Sequence, residues 1–427
     1  MTLDTIVAPA TPVGRSALAM VRIDGPRSAD ILTALSGVAP EPRIATLTQL
    51  HTLDECVAVR YAAPHSFTGN DLVELMLHGS PLIVERVVRA CVDLGARMAE
   101  PGEFTERAVL NGKIDLVQAE SIADLINSRT ALQAKLSLGN LQGALSRKAA
   151  AIRESLLFVI SRLEAALDFS EEGYEFITRD EARSSIANAI VETQALAETY
   201  RRGHATTTGL TAVILGRPNA GKSTLLNRLV GSDRAIVTPI PGTTRDIVRE
   251  TIDVGGLPVT IADTAGLRAS EDLVESIGVD RAREAARSAD IVLYLVDASV
   301  GLVPDDELAS FPNALIVYTK TDLAPAPAGA IGIHQEAIDD LLAHLDALVR
   351  DNFAAPEGSL VNERQRLAVA ECESALRASL ASLDDGHEEQ VVLVDLYRAS
   401  TSLGLLTGAI TREDVFEEIF SRFCIGK

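Results

Sequence analysis

Apolar and polar positions alternate with different periods along this chain, and the periods predict where its structural elements lie. In residues 1 to about 115, short β-like runs are separated by Pro/Gly turns and amphipathic helices. In the helix predicted for residues 81–94, Ile83, Val87 and Cys91 fall on one face. These features predict a mixed domain of strands and helices at the N-terminus. Its β-like runs cover residues 17–23, 56–61 and 71–77.

Apolar residues recur at steps of three and four from residue 115 to about 203, which predicts a bundle of helices. The acidic break at residues 168–173 ends one helix, and residues 180–200 form another. The helical pattern returns after residue 351, and we expect the two helical pieces to pack together. The returning helices cover residues 362–383, 389–404 and 412–423.

The intervening residues, 206 to about 350, alternate strands with helices, as a parallel sheet with helical crossovers does. We therefore predict an α/β multidomain protein: an α+β domain, then an α-helical domain into which a domain with a parallel sheet and helices on both faces is inserted. The buried strands are predicted at residues 211–215, 259–263, 291–297 and 314–318. The predicted domain boundaries are residues 1–115, 116–205, 206–350 and 351–427.

Residues 216–224, GRPNAGKST, have the GxxxxGK[ST] spacing of a phosphate-binding loop. They follow a β-prone run and open into a predicted helix, which is the context that this motif requires. Glycines let backbone N–H groups surround phosphate oxygens, Lys222 can reach the β- and γ-phosphates, and the Ser223 hydroxyl can hold Mg²⁺. The alternative, a chance Gly-rich turn, leaves that agreement unexplained. The predicted nucleotide contacts are Asn219, Ala220, Gly221, Lys222, Ser223 and Thr224.

Two further elements follow at the spacing of a GTPase. Residues 238–244 offer Thr244 as a second hydroxyl ligand of Mg²⁺, and residues 263–266 follow a predicted strand. There the Asp263 carboxylate can hold the metal through water, and the Gly266 N–H can meet the γ-phosphate. The predicted nucleotide contacts from these two elements are Thr238, Pro239, Ile240, Pro241, Gly242, Thr243, Thr244, Asp263, Thr264, Ala265 and Gly266.

Residues 319–322, Thr-Lys-Thr-Asp, follow another strand and are expected to read the base. The Asp322 carboxylate can accept hydrogen bonds from guanine N1–H and the 2-amino group, a donor pair that adenine lacks. Thr319 stands where Asn is usual, and Lys320 completes the predicted contacts. A Ser-Ala pair that backs the base is not found at residues 330–334. In this order, the four elements predict a GTPase.

The expected catalytic glutamine is missing. A Ras-like enzyme places Gln directly after Asp-x-x-Gly, whereas this chain has Leu267. Another group must therefore position water and neutralise the developing charge. Asn219 offers a carbonyl oxygen for a monovalent cation, together with the carbonyls of Thr238 and Ile240 and the Thr243 hydroxyl. The alternative is that Asn219 only braces the loop.

Composition and charge narrow the class of protein. The chain has 427 residues, 47% of them hydrophobic, and a net charge of −21. It is therefore globular and lacks a general basic surface for nucleic acid, although a local basic groove remains compatible with this charge. No signal peptide and no apolar run of ~20 residues is found, so we expect a cytoplasmic protein. No disulfide framework or zinc site is indicated by the scattered Cys56, Cys91, Cys372 and Cys424.

Taken singly, the polar stretches at residues 64–71 and 101–107 predict turn and capping chemistry. Together with other motifs they resemble the bacterial and organellar tRNA modification GTPases of the MnmE (TrmE) family. The chain departs from that family at Asn70, where Glu is usual, and at Ser80, where a second glycine is usual. The remaining motifs are residues 4–8 (DTIVA), 11–15 (TPVGR), 78–79 (HG), 111–113 (NGK), the GTPase elements, 362–366 and the terminal 423–427 (FCIGK).

The resemblance implies three parts: a tetrahydrofolate-binding N-terminal domain that also forms a homodimer, a helical domain, and an inserted G domain. It implies that the protein acts with a flavin-dependent partner, MnmG, on the wobble uridine of tRNA. The product would carry an aminomethyl or carboxymethylaminomethyl group on carbon 5 of that base.

The resemblance also implies roles for individual residues. The ligands of 5-formyltetrahydrofolate would be Arg22, Glu74, Lys113 and Lys427. The potassium ligands would be Asn219, Thr238, Ile240 and Thr243, and the magnesium ligands Ser223 and Thr244. Glu275 would assist hydrolysis through water, and Lys222 would be a second catalytic residue. A functional role is implied for Cys424, but a cysteine between Phe423 and Ile425 could equally be a small buried apolar residue.

A rival hypothesis is a regulatory GTPase that binds RNA as a ribosome-assembly switch and uses hydrolysis only as a timer. Such a protein would need an appended basic RNA-binding module. The tail of this chain is instead acidic to neutral and ends in Cys-Ile-Gly-Lys. The tRNA-modifying hypothesis is therefore preferred.

Overall fold

The structure is a computed structural model. Contacts divide the chain into two compact units, residues 1–123 with 400–427, and residues 124–399. No helix of the described ranges is long and apolar enough to cross a membrane. The described residues are 4–169, 176–231, 234–236, 249–262, 283–300, 308–311, 314–328, 330–333, 338–409, 419–421 and 423–426.

The strands of the first unit are β1 (Ile6–Pro9), β2 (Leu18–Asp24), β3 (Thr46–Leu50), β4 (Asp54–Tyr61), β5 (Leu72–His78) and β6 (Arg97–Met98). They form one sheet in the order β3-β4-β5-β2-β1-β6, antiparallel except where β1 runs parallel to β6. The three strands predicted from the sequence are confirmed as β2, β4 and β5. The periodicity did not predict β1, β3 and β6, which are four, five and two residues long and offer few positions at which alternation can show.

The helices that begin in this unit are α1 (Ser28–Ser36), α2 (Pro81–Asp93), α3 (Glu103–Leu110) and α4 (Leu116–Asn127). Helices α1 and α2 cover one face of the sheet, where Val21 and Leu75 share a core with Val87 and Cys91. The apolar face predicted for α2 is therefore confirmed. Because side chains alternate along a strand, the neighbouring Arg22 points to the opposite face.

A buried network of charges fastens α3 to this sheet. Asp24 is 0% exposed and accepts a hydrogen bond from Arg107 at 2.9 Å and another from the Thr68 hydroxyl. The polar stretches at residues 64–71 and 101–107 therefore meet around one carboxylate, beyond the turn and capping chemistry predicted for each. The sequence did not reveal this because Asp24 and Arg107 are 83 positions apart.

Glu103 adds a second carboxylate to the network. It accepts hydrogen bonds from Arg97 at 2.6 Å and from Arg107 at 2.9 Å. Burial raises the pKa of Glu103, but the hydrogen bonds from Arg97 and the Glu100 N–H, with the charge of Arg107, lower it below its ordinary value. A carboxylate with a lowered pKa stabilises the fold above its unfolded-state pKa, and this contribution disappears as the pH falls through the folded-state pKa.

The second unit contains a sheet with helices on its faces. Its strands are β7 (Leu210–Gly216), β8 (Arg249–Val254), β9 (Leu257–Ala262), β10 (Ile291–Asp297), β11 (Ala314–Thr319) and β12 (Ile331–Gly332), in the order β12-β11-β10-β7-β9-β8. The helices that begin in this unit are α5 (Ala131–Leu141), α6 (Ala144–Asp168), α7 (Arg179–Glu198), α8 (Tyr200–Thr208), α9 (Lys222–Val230), α10 (Asp339–Phe353), α11 (Glu363–Asp384) and α12 (Glu389–Thr407).

The sheet is parallel apart from β8, which runs antiparallel to β9. The four strands predicted from the sequence, β7, β9, β10 and β11, all run parallel, whereas the antiparallel edge strand β8 was not predicted. Gly255 and Gly256, with φ of +61° and +92°, form a two-residue connection that joins β8 to β9 as a hairpin. The sequence contained this signal in its Gly-Gly pair between apolar-alternating runs.

The helices on either side of the sheet in sequence pack together, as predicted. Helix α7, before the sheet, lies along α11, after it, and Arg183 forms an ion pair with Asp384 at 2.8 Å. Thr130 and Thr178 start α5 and α7 with capping boxes, in which each hydroxyl accepts a hydrogen bond from a backbone N–H three residues ahead. The predicted helix at 412–423 lies largely outside the described residues.

Replacing Arg107 with Met tests the buried network of the first unit. The change leaves the Asp24 carboxylate buried without its cation, so we expect the free energy of unfolding to fall by about 3–5 kcal/mol. Arg377→Met is the matched control, because Arg377 forms an exposed pair with Glu373 that contributes about 1 kcal/mol or less. Urea unfolding followed by circular dichroism measures both, and equal effects would contradict the prediction.

Candidate functional sites

The loop between β7 and α9 has a backbone that its glycines and Asn219 permit. Gly216, Asn219 and Gly221 have φ of +142°, +64° and +90°, the region that glycine and asparagine tolerate. A Cβ atom on Gly216 would lie 2.6 Å from the Leu295 carbonyl oxygen. Helix α9 begins directly after Gly221, so its unpaired N–H groups and its positive dipole end face a ligand in the loop.

Polar groups of this loop are placed to meet a phosphate. The Lys222 ammonium donates to the carbonyl oxygens of Gly216 at 2.7 Å and Arg217 at 2.9 Å. It therefore lies against the backbone that would surround the phosphates. The exposed side chains among the predicted contacts are those of Asn219, Ser223 and Thr224.

A hydrogen bond ties the base-reading segment to the phosphate loop. Thr319, 5% exposed at the end of β11, donates its hydroxyl to the Ala220 carbonyl at 2.8 Å. Asn is usual at this position, and the threonine hydroxyl supplies a side-chain donor in its place. Asp322 follows three residues later with an exposed side chain. The bond therefore fixes the start of the base-reading segment relative to the loop that would hold the phosphates.

Asp297, which the sequence analysis did not single out, anchors the second residue of that segment. The Lys320 ammonium lies 2.5 Å from Asp297 Oδ2, while Oδ1 accepts bonds from the Ser299 hydroxyl at 2.6 Å and N–H at 3.0 Å. The hydrogen bond from Lys320 holds the pKa of Asp297 below its ordinary value. Asp297 could have been identified from its place at the end of a predicted parallel strand, because ligands bind at the carboxyl ends of such strands. In the structure it ends β10 directly opposite Thr319.

The stretch where a fifth motif is expected lies beside the base-reading segment. Strand β12 runs parallel to β11, and the Ile333 N–H donates to the Tyr318 carbonyl at 2.7 Å. A Cβ atom on Gly332 would lie 3.0 Å from the Thr321 side chain. Backbone groups of this stretch are therefore close to where a base would bind, although the Ser-Ala pair is missing.

The remaining predicted nucleotide and metal ligands lie outside the described residues, so their roles stay predictions. Strand β9 ends at Ala262, and the next residue in the sequence is Asp263, which is predicted to hold the metal through water. The nucleotide and metal positions are Thr238, Pro239, Ile240, Pro241, Gly242, Thr243, Thr244, Asp263, Thr264, Ala265 and Gly266. The predicted catalytic Glu275, the predicted folate ligand Lys427 and Leu267 also lie outside the described residues.

In the first unit, three predicted folate ligands surround the loop at residues 64–70. Arg22 and Glu74 face each other on paired strands, and Arg22 Nε lies 2.9 Å from Glu74 Oε1. The Arg22 guanidinium lies 5.6 Å from the centre of the Phe67 ring. The Lys113 ammonium donates to the carbonyl of Pro64 at 3.0 Å. The loop thus contacts both cations.

Tyr61 was not predicted but belongs to the same group of residues. Its hydroxyl donates to Glu74 Oε2 at 3.3 Å. Burial, together with the Glu74 charge and this hydrogen bond, raises the pKa of Tyr61. Arg22, Glu74, Tyr61 and Phe67 therefore bring together a cation, a carboxylate and two aromatic rings on the side of the sheet opposite α1 and α2, where Glu74 is 9% exposed and both rings pack against the cluster of Phe104. An aromatic ligand with hydrogen-bond donors fits this set.

The C-terminal tail returns to this unit. Ile425 forms a β-bridge with Pro101, and Gly426 has a φ of +96°. A Cβ atom on Gly426 would lie 2.1 Å from the Pro9 carbonyl oxygen, so this position requires glycine. Cys424 is exposed, which excludes its alternative interpretation as a small buried apolar residue.

Comparisons with known proteins decide the family. The sequence profile described as MnmE helical domain matches residues 116–424, and that of the GTP-binding protein TrmE N-terminus matches residues 5–113. The chain is 42% identical to the tRNA modification GTPase MnmE of Koribacter versatilis and 41% identical to that of Symbiobacterium thermophilum, over 99% of each chain. This chain belongs to the MnmE family of tRNA modification GTPases.

Solved GTPase structures are less similar. A variant of Aquifex aeolicus Era bound to GDP and AlF4− is 24% identical with a TM-score of 0.26, over 39% of this chain and 66% of that one. The G domain of T. maritima FeoB is 18% identical with a TM-score of 0.24, over 33% and 97%. A likeness at this level adds nothing to the assignment.

Membership of the MnmE family confirms the predicted fold class and enzyme class. An N-terminal domain of strands and helices precedes helices into which a sheet with a phosphate-binding loop is inserted. The predicted class of enzyme, a GTP hydrolase of the tRNA modification GTPases, agrees with the MnmE relatives.

Thr319→Val tests the link between the two parts of the nucleotide site. The change removes a buried donor and leaves the Ala220 carbonyl unpaired, so we expect GDP affinity to fall roughly two- to tenfold. Thr319→Ser retains the hydroxyl and should bind GDP like the unaltered protein. Titration with a fluorescent GDP analogue measures both, and equal affinities for the valine and serine variants would contradict a bracing role.

Proposed function

We propose that this chain is a potassium-activated GTPase that modifies the wobble uridine of certain tRNAs. In this proposal it acts as a cytoplasmic homodimer with a flavin-dependent protein of the MnmG kind, in a heterotetramer. Together they add an aminomethyl or carboxymethylaminomethyl group to carbon 5 of the base. The observation that carries the proposal is the hydrogen bond from Thr319 to Ala220, which holds a guanine-reading segment on a phosphate loop in an MnmE-family chain.

Four segments would divide the work. Residues 1–115 would bind folate and dimerise, and residues 206–350 would form the G domain. Residues 116–205 and 351–427 would form the two parts of the helical domain. The packing of α7 along α11 supports the last assignment.

Within the G domain, the proposed site residues would have distinct tasks. Lys222 would neutralise the β- and γ-phosphates, and Asp322 would select guanine. Glu275 would assist hydrolysis through water. The exposed hydroxyl of Ser223 and the exposed side chain of Asn219 suit cations that prefer oxygen ligands.

Two bound cations would stabilise charge on the transferred phosphoryl group. The proposed magnesium ligands are Ser223 and Thr244, with Asp263 acting through water. The proposed potassium ligands are Asn219, Thr238, Ile240 and Thr243.

The N-terminal domain would bind the one-carbon donor, 5-formyltetrahydrofolate or a related tetrahydrofolate. Glu74 can accept hydrogen bonds from the amino and ring N–H groups of a pterin, and Tyr61 and Phe67 offer aromatic surfaces. The cations Arg22 and Lys113 suit the glutamate tail, with the terminal Lys427 as a third. The exposed Cys424 would act in the same unit.

The decisive experiment is mass spectrometry of tRNA nucleosides from cells with and without this chain. We expect the modified wobble uridines to disappear without it, to return with the unaltered chain, and to stay absent with Lys222→Ala. The matched control is Arg377→Ala, remote from the phosphate loop in sequence and on α11, which should restore them. Unchanged wobble uridines with accumulating ribosomal precursors would instead support the ribosome-assembly switch.

Asn219→Ala tests potassium activation. We expect potassium to accelerate GTP hydrolysis by the unaltered protein at least roughly tenfold over sodium, because a cation would stabilise the developing charge. The variant should lose this response while largely keeping nucleotide binding. Asn227→Ala, which removes an exposed amide from α9, should keep it.

Phosphate-release assays in potassium and sodium chloride measure these rates. Equal rates of the unaltered protein in the two salts would rule out potassium activation. A full potassium response in Asn219→Ala would show that Asn219 only braces the loop.

Titration calorimetry with 5-formyltetrahydrofolate tests the N-terminal assignment. Arg22→Ala and Lys113→Ala should each weaken binding roughly ten- to hundredfold, the effect of losing a charged hydrogen bond. Arg86→Ala removes an exposed arginine from α2, on the helix-covered side of the sheet, and should bind normally. Absence of heat with the unaltered protein would remove folate from the proposal without affecting the GTPase.

A further inference from the structure

Positive charge is concentrated in one part of this acidic chain. The sequence contains 60 Asp and Glu residues, yet none lies between Asp124 and Glu154. This interval comprises α5 and the first turns of α6. It contains five cations, Arg129, Lys135, Arg147, Lys148 and Arg153. A second interval without Asp or Glu runs from residue 199 to residue 232 and includes Arg201 and Arg202 on α8.

Among the residues that the structure describes, carboxylates do not neutralise most of these cations. Arg147 donates to the Gln142 carbonyl at 2.7 Å, and Lys148 donates to the Gly358 carbonyl at 2.9 Å. Within the described ranges, the carboxylate paired with this group is that of Glu357, 4.0 Å from Lys135, with both side chains at least half exposed. Bonds to carbonyl oxygens orient the cations but leave their net charge available.

Three arginines on the other helices of this unit differ in this respect. Arg183, Arg377 and Arg398 each lie within 3 Å of a carboxylate. Their charges are compensated on the protein itself, although they are about half exposed like the cations of α5 and α6. Unpaired charge, not exposure, therefore distinguishes the region around α5.

The helices α5, α6 and α8, which carry most of these cations, are neighbours in space. Lys135 and Lys148 both contact Glu357, through its carboxylate and its carbonyl respectively. Helix α8 packs beside α5, where Gln133 Nε2 donates to the Thr207 carbonyl at 2.9 Å. Helix α5 alone extends the region over about 16 Å.

We infer that this region binds the phosphate backbone of tRNA, an inference that rests on the proposed function for its RNA substrate. We call it the basic surface, formed by Arg129, Lys135, Arg147, Lys148, Arg201 and Arg202. Cations that contact phosphates release counterions and supply affinity independently of sequence. The chain as a whole has a net charge of −21, so the rest of its surface repels RNA and the contrast also orients the docked molecule.

Two features favour RNA over an acidic protein as the occupant. Residues 125–153 contain no Phe, Tyr or Trp, whereas protein interfaces are enriched in aromatic anchors. The cations are long, exposed side chains, and of these only Lys135 has a carboxylate partner among the described residues, Glu357 at 4.0 Å, which suits the sequence-independent contacts that proteins make with folded RNA.

The test neutralises three of these cations in the full-length protein: Arg129→Gln, Lys135→Gln and Arg147→Gln. Lys148 stays unchanged, because its ammonium also holds the Gly358 carbonyl. The control makes the same change in net charge at paired arginines: Arg183→Gln, Arg377→Gln and Arg398→Gln. The probe is a transcribed tRNA with a wobble uridine, titrated by fluorescence anisotropy at several potassium chloride concentrations.

We expect the basic-surface variant to bind this tRNA roughly tenfold or more weakly. Its plot of log affinity against log salt should be shallower by about three, one for each lost phosphate contact. The control should bind like the unaltered protein. Both variants should hydrolyse GTP normally, and in cells the basic-surface variant should restore less wobble modification than the control.

Three results would overturn the inference. Unaltered affinity and salt dependence in the basic-surface variant would place the RNA elsewhere. Equal losses in both triple variants would show that net charge alone matters. Loss of binding to the flavin-dependent partner, with tRNA binding intact, would identify an acidic protein as the occupant. Failure of the proposed function is a separate result, since wobble uridines would then be unchanged in cells without the chain.

Discussion

A domain inserted into a bundle must leave and re-enter it at neighbouring points, and buried hydrogen bonds hold those two points together here. Thr206, on α8 before the sheet, is 0% exposed. Its hydroxyl donates to the Phe353 carbonyl and accepts from the Ala355 N–H, both at 3.1 Å. Beside it, Asn140 accepts from the Gly358 N–H at 3.0 Å and donates to the Ser359 carbonyl at 3.1 Å. Two buried side chains thus satisfy the backbone of the returning segment.

This junction also connects the domain that carries the phosphate loop to the helices. The phosphate loop lies on the inserted domain, and the segment after Phe353 returns along α5 and α8. A Cβ atom on Gly203 would lie 2.0 Å from the Leu360 carbonyl oxygen. The returning segment and α8 therefore pack so closely that not even a methyl group fits between them. The inserted domain is therefore joined to the helices through a close-packed junction that also adjoins the basic surface, where Lys148 holds the Gly358 carbonyl.

The sequence predicted what is local. The phosphate loop is specified by nine consecutive residues, and α2, α7 and α11 are specified by periodicity and caps. Contacts between distant residues were not predictable: Thr319 meets Ala220 across 99 positions, and Arg107 meets Asp24 across 83. The role of Thr319 could not be predicted for the same reason, because this role depends on which carbonyl oxygen accepts the hydrogen bond from its hydroxyl.

Burial distinguishes Cys424 from the other three cysteines, which their spacing in the sequence could not do. Burial is the largest cause raising the pKa of Cys56, Cys91 and Cys372 to about 12, which keeps them protonated and unreactive. Cys424 is exposed on a tail that Gly426 fits against Pro9. Pro9 belongs to β1, which pairs with β2, the strand of Arg22. The accessible thiol therefore belongs to the same unit as the proposed folate ligands, so any thiol chemistry of Cys424 would take place in the unit that is proposed to bind the one-carbon donor.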